Sequence, residues 1–348
     1  MGLMYTRRSF ISLACGAVST FLFAACGSRG SQEQAGGAQA SGGSKLDRLR
    51  LDYAYYNPVS LVLRRQGWVE REFEPDGLEV EWVLSLGSNK ANEYTASGTV
   101  HFGSTAGSAA LLARANGVPL KTVWIYSQPE WTALVTGKDS LIQTIADLKG
   151  KKVAATRGTD PWFFLLRALD SAGLSQADVQ LIHLQHPDGE QALLQGQVDA
   201  WAGLDPHMAH AELTAGVRLF FRRPEWNTYG TLNVLEGFLR DHPDVVERVL
   251  GLYERGRQWA LEHPEELVQL LSEEAKLSHE IARKVLTERT SFPEPVPGDT
   301  QRRLLSEIKP LIVKENLVPG DADLDRAIQE LIEPGPAQRA LARVRGGS

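Results

Sequence analysis

The chain has 348 residues, with 37 basic and 43 acidic side chains and a net charge of −6 with histidine neutral. An acidic balance gives no electrostatic footprint for nucleic acid. A hydrophobic content of 43% suits an ordinary globular fold, and the length allows two domains of usual size.

The first 25 residues have the three parts of an export signal. Arg7 and Arg8 form a cationic start, Ile11 to Ala25 is apolar, and Ala24-Ala25 precedes Cys26. The apolar run is short for a spanning helix, which needs about 20 residues. Thr6-Arg7-Arg8-Ser9-Phe10 resembles a twin-arginine signal, with an ordinary Sec signal as the alternative. Cys26, followed by Gly27-Ser28, reads as a lipidation site, although Phe23 stands where a lipobox usually has Leu. Cys15 lies in the signal, so Cys26 is the one cysteine of the mature chain and no internal disulfide is expected. Residues 26–47 then read as the acylated cysteine and a Gly/Ser-rich tether.

From Leu51 onward strand and helix signals alternate, which argues for an α/β architecture. A strand at Leu51–Tyr55 leads to Asn57-Pro58 and a helix that stops at Gly67, with cap, first-turn proline and terminal glycine in their favoured places. Leu78 to Leu84 alternates as a second strand, and Ser85 to Asn89 leads into a helix. Val100–Phe102 reads as a third strand, with Gly103 to Gly107 a loop before another helix. Lys121–Tyr126 and Trp131–Thr136 read as strands.

The pattern then repeats. Ile145–Gly150 is a short helix, and Lys152–Thr156 a strand. Arg157 to Asp160 is a loop, and Pro161 opens an apolar helix. Val179–Leu184, Val198–Ala202 and Val217–Phe221 are further strands, and Asp205-Pro206 opens a helix. From Pro243 the pattern is helical. Val245, Val246, Val249, Leu250 and Tyr253 form one core stripe, and Leu267, Leu270 and Leu271 another.

Candidate ligand chemistry rests on a repeated construction: a strand, a polar loop, then a capped helix start. Asn57-Pro58, Ser104-Thr105, Asp160-Pro161 and Asp205-Pro206 are four cases. Such loops gather at the carboxyl ends of parallel strands, where unpaired helix N–H groups attract anions. Arg157 beside Gly158-Thr159 is placed to pair with an anionic head group, and Trp131 and Trp162 to form apolar walls. Gly-x-Ser-x-Gly is absent around Ser104. His207 and His210 are three apart rather than the four of helical zinc pairs, and His183 and His186 read as strand-end residues. No metal, cofactor or catalytic group is expected.

Lys138-Asp139-Ser140, Asp147-Leu148-Lys149-Gly150-Lys151-Lys152-Val153-Ala154, Gly196 to Trp201 and His242 to Val246 occur in that order, after Phe102-Gly103-Ser104-Thr105. The ordered set resembles the periplasmic substrate-binding proteins of ABC importers for aliphatic sulfonates, taurine and nitrate. The resemblance implies a two-lobed α/β fold with two sheets of parallel type, two crossovers and a helical C-terminal region. One lobe would comprise 48–136 with 229–348, the other 137–228. It implies a binder that passes a small anion to a permease and its ATPase; with the reading of Cys26, the protein is expected to be lipid-anchored outside the cytosol, monomeric and without enzymatic activity.

Contacts carried over by position are Tyr56, Asn57, Ser85, Asn89, Ser104, Thr105, Gly158, Thr159 and Asp205. Ala202-Gly203-Leu204, Arg157 and Pro161-Trp162 depart from the usual pattern. An aliphatic sulfonate is the leading ligand. Taurine, nitrate, a pyrimidine-like heterocycle or a sensor role are the alternatives.

Overall fold

A computed structural model describes residues 46–346. The expected signal, Cys26 and the tether lie outside the described residues. Eleven strands are present among those described: β1 (Arg48–Tyr53), β2 (Glu79–Leu84), β3 (Gly103–Ala106), β4 (Leu120–Pro129), β5 (Leu134–Thr136), β6 (Lys152–Ala155), β7 (Gln180–His183), β8 (Ala200–Ala202), β9 (Arg218–Phe221), β10 (Gly230–Leu235) and β11 (Thr290–Ser291).

β1 and β2 pair in parallel, and a bridge from Leu51 to Phe102 ties them to β3. β3 edges a sheet ordered β11-β4-β10-β3, in which every pair is antiparallel. The other sheet runs β7-β6-β8-β5-β9. Its helix-linked strands β6, β7 and β8 are parallel, whereas β5 is antiparallel to both β8 and β9. The sheets are therefore mixed. Strands joined through a helix run parallel, and strands that carry the chain between sheets run the other way.

The period-two alternation of the five-stranded sheet explains its layering. Leu134, Val153, Ala155, Ala200 and Ala202 face one core with the apolar helix Asp160–Ser171. Their neighbours Val135, Ala154 and Trp201 face a second core with Met208 and Ala211. Both faces are covered, so these strands read as near-continuous apolar runs. Around β1 and β10, the expected helical stripes close the largest core: Val246, Val249, Leu250, Tyr253, Leu267, Leu270 and Leu271 are all buried there.

Local sequence signals placed most boundaries. Asn57 caps the helix Pro58–Gln66 by accepting the Ser60 N–H, and Gly67 ends it in the left-handed region. The third strand differs from expectation. Val100–Phe102 contributes only the bridge, and the strand is Gly103–Ala106, the stretch expected to be a loop. Its glycine and hydroxyl residues have little strand propensity. Pairing with β10, more than a hundred residues away in sequence, overrides that preference. The next helix accordingly starts at Gly107, so Ser104-Thr105 is not its cap. The helix expected at Asp205-Pro206 begins at His207.

The chain passes between the sheets twice, from β4 to β5 and from β9 to β10. The two passages are bonded to each other: Thr132 N–H donates to Asn227 Oδ1 at 2.9 Å. Thr132 also donates its hydroxyl to the Gly203 carbonyl at 2.6 Å.

Gly256 marks the closest packing of the helix Pro243–Glu262 on Pro58–Gln66. A Cβ there would lie 2.5 Å from Leu63 Cδ1 and 2.8 Å from Val59 Cγ1. Alanine is ordinarily better than glycine in a helix by about 1 kcal/mol. At this position overpacking should win, and Gly256→Ala should destabilise by about 1–3 kcal/mol. Urea denaturation of the two proteins checks this; a more stable variant would show that the helices separate easily.

Candidate ligand-binding site

An enclosed crevice lies between the ends of β1 and β2 on one side and the helix starts of the five-stranded sheet on the other. Tyr56, Ser88, Trp131, Thr159, Asp160, Pro161, His186 and Leu204 line it. It leaves only about 10 Å³ for a water-sized centre, or about one water. A more open groove of about 630 Å³ lies on the outside, among Glu72, Arg248, Arg255 and Arg343. It is lined by the long C-terminal helices and their neighbours, and none of the strand-end loops reaches it.

Three helix starts form the crevice: Ser88–Ala96, Asp160–Ser171 and His186–Leu194. None has a side-chain cap hydrogen bond at its N-cap residue. Pro161 and Pro187 carry no N–H, and the Lys90, Trp162 and Gly189 N–H groups bond backbone carbonyls, so the first one or two N–H groups of each helix are the ones open to a ligand. Tyr56 and Trp131 meet edge to face with centroids 6.0 Å apart and give one wall. No lysine or arginine lines the crevice.

Asp160 is the most heavily bonded side chain of the crevice lining. Its Oδ1 accepts from the hydroxyls of Ser108 at 2.6 Å and Thr228 at 2.8 Å. Its Oδ2 accepts from Trp131 Nε1 at 2.9 Å and Thr228 N–H at 2.8 Å. Burial raises its pKa, and these four donors oppose the rise. His186 is wholly buried. Burial pushes its pKa down to about 3, with a smaller contribution from His207, so the ring is neutral. Asn89 Oδ1, Gln185 Oε1 and His186 Nε2 are buried atoms with no hydrogen-bond partner.

The structure gathers Tyr56, Trp131 and Thr159 into the crevice. Gly158 and Asn89 are adjacent, since a Cβ on Gly158 would lie 3.7 Å from Asn89 Cβ. The other sequence candidates face elsewhere. Asn57 is spent on its helix cap and on Ser104 Oγ at 2.7 Å. Ser85 is buried beside Asp52. Ser104 and Thr105 lie inside the sheet, bonded to Asp52 and to Asn233 at 2.7 Å each. Arg157 is exposed, with its guanidinium 5.6 Å from the Trp162 ring centre. Trp162 packs in the core beside Phe163. Asp205 is buried against Arg289, 3.2 Å from each carboxylate oxygen, while Arg289 also reaches Glu212 at 2.5 Å.

Ser88, Asp160 as a hydrogen-bonding centre, His186 and Leu204 were not among those candidates. His186-Pro187 had a signal, because it repeats the construction of Asn57-Pro58 and Asp160-Pro161 after a strand. His207 and His210 both bond Glu190 through Nδ1, and no cluster among the described residues is arranged to hold a metal.

Asp52 supports the floor. Its carboxylate accepts the Ser104 N–H at 2.8 Å and the Ser104 hydroxyl at 2.7 Å, and the Ser104 carbonyl accepts the Tyr56 hydroxyl at 3.0 Å. Burial outweighs the bonds from Ser104 and lifts the Asp52 pKa to about 6. Between about pH 4 and about 6 the unfolded carboxyl loses its proton while the folded one keeps it. The folded state then holds more protons, so stability falls as pH rises. Two pKa units correspond to about 3 kcal/mol. In urea, the wild type should lose roughly this much relative to Asp52→Asn from about pH 3 to 7. Parallel stability curves would mean that Asp52 is ionised throughout.

A family model described as NMT1/THI5 like matches residues 63–267. An aliphatic sulfonates-binding protein of Bacillus subtilis (strain 168) is 30% identical over 284 residues, 80% of this chain and 82% of that protein. One from Escherichia coli (strain K12) is 27% identical over 288 residues, 82% and 89% of the two chains. Among solved structures, the alkanesulfonate-binding protein SsuA of Xanthomonas axonopodis pv. citri, bound to MOPS, aligns with a TM-score of 0.73. It is 22% identical and covers 82% of this chain and 98% of its own. The periplasmic aliphatic sulphonate-binding protein SsuA of Escherichia coli gives 0.70 at 25% identity, covering 83% and 93%. The mixed sheets, the two passages between them and the helical C-terminal region are those of the periplasmic-binding-protein fold. The chain belongs to the NMT1/THI5-like family, among the periplasmic substrate-binding proteins related to the aliphatic sulfonate binders of ABC importers.

Proposed function

We propose that the protein captures a small organic sulfonate in the crevice between its two sheets and delivers it to a membrane permease driven by an ATPase. The observation that carries this reading is the convergence of three helix N-termini on a crevice whose lining has no lysine or arginine. Backbone N–H groups and the positive ends of helix dipoles suit a weakly basic, strongly acidic anion such as a sulfonate. Asp160 does not oppose it as a bare charge, because four donors already occupy its oxygens. The sulfonate-binding relatives favour the same ligand class.

In this reading 48–136 with 229–348 forms one lobe and 137–228 the other, hinged at the two passages. A crevice with space for about one water admits a ligand only when the lobes part, and closure then removes the ligand from solvent. The export signal and lipidated Cys26 would hold this receptor at a membrane surface outside the cytosol, as a monomer on its tether.

Calorimetry of the full-length protein with short alkyl and substituted sulfonates should give saturable one-to-one binding. Heat from a pyrimidine but from no sulfonate would replace this ligand with a heterocycle. Palmitate labelling in cells should mark the wild type and not Cys26→Ser; a labelled variant, or an unlabelled wild type, would remove the anchor.

A further inference from the structure

The hydrogen bonds around His186 determine which ring nitrogen carries its proton. Thr156 has one hydroxyl hydrogen, and it is donated to the Leu184 carbonyl at 2.7 Å. The Thr156 oxygen can then only accept from the ring nitrogen 3.1 Å away, His186 Nδ1. In a neutral imidazole the second nitrogen is then an acceptor. That atom, Nε2, is fully buried, lacks any partner and belongs to a residue lining the crevice. A bare sulfonate oxygen brought to it would meet lone pair against lone pair.

A second acceptor lies near the first, beside Gly87. A Cβ on Gly87 would lie 2.8 Å from Asn89 Oδ1 and 3.2 Å from His186 Nε2. Asn89 Oδ1 is likewise buried without a partner. Two unsatisfied acceptors therefore lie close against Gly87, with no side chain between them. Leaving buried acceptors unpaired costs about 1–3 kcal/mol each, and a ligand hydrogen would satisfy them.

We infer that His186 Nε2, with Asn89 Oδ1, accepts a hydrogen bond from an N–H or O–H group on the ligand, so that the site selects sulfonates carrying a donor a few bonds from the sulfur over plain alkanesulfonates. The inference rests on the proposed sulfonate reading and adds a division of labour to it. Helix N–H groups hold the anionic end, and His186 reads the other end as a neutral acceptor. Its neutrality agrees with its environment, because burial and the nearby His207 both disfavour a charged ring.

Calorimetry of the full-length protein with ethanesulfonate, 2-hydroxyethanesulfonate and 2-aminoethanesulfonate tests this directly. At least one donor-bearing ligand should bind about tenfold or more tightly than ethanesulfonate. The binding heat should not change between buffers of different ionisation enthalpy, since no proton is taken up. His186→Phe should erase the preference, and His186→Gln, which keeps an acceptor, should retain part of it. Equal affinity for all three ligands in the wild type would overturn the role of His186 while leaving the sulfonate reading intact. Proton uptake on binding would also overturn it, by making His186 a charged donor. If none of the three binds, the sulfonate reading fails and takes this inference with it.

Discussion

The four hydrogen bonds of Asp160 tie the helix starts beside the two larger sheets to each other and to both passages between those sheets. Asp160 begins a helix of the five-stranded sheet, Ser108 lies on a helix packed beside β3, Trp131 sits in the first passage and Thr228 in the second. A carboxylate taken out of water is costly unless its oxygens are satisfied. Here that cost becomes an organising constraint, since the best way to meet it is to bring all three segments to one point. The Trp131 ring is thereby turned to face Tyr56, and that wall of the crevice follows from the placement of one acid.

A second buried pair works differently. Arg289 reaches from just before β11 to Asp205 and Glu212, on and before the helix His207–Ala215. It fastens the segment before β11 to that helix, outside the crevice lining. Removing either partner of such a desolvated pair would leave a buried charge uncompensated. Asp205 is therefore a fastening between distant segments, and the crevice itself presents neutral groups: helix N–H donors, two aromatic rings and, beside it, the unpartnered acceptors around Gly87.

The helix starts were readable because their signals are local. Asn57-Pro58, Gly67 and the apolar stripe from Val246 to Tyr253 act within a turn or two of their own position. β3 was not readable, because Gly103-Ser104-Thr105-Ala106 has the composition of a loop and becomes a strand only by pairing with β10. The same event turned Ser104 and Thr105 from exposed hydroxyls into buried partners of Asp52, Asn57 and Asn233. His186 was read only as a strand-end residue, because the His186-Pro187 pair marks a helix start and says nothing of what its ring faces. Its importance comes from Thr156 on one side and Gly87 on the other, thirty and ninety-nine positions earlier in the chain.

By itself the sequence determined the α/β class, most helix boundaries and the family, since these follow from residue order, capping and ordered motifs. It also supplied the constituents of the site: strand-end loops opening onto helix N-termini. Only the tertiary structure decided which constituents face the crevice. Thr159 and Trp131 enter it, Arg157 stays in solvent, and Asp205 is drawn away to Arg289. The physical reason is that a buried polar group goes wherever its partners are, and those partners come from distant parts of the chain that only folding brings within hydrogen-bond reach.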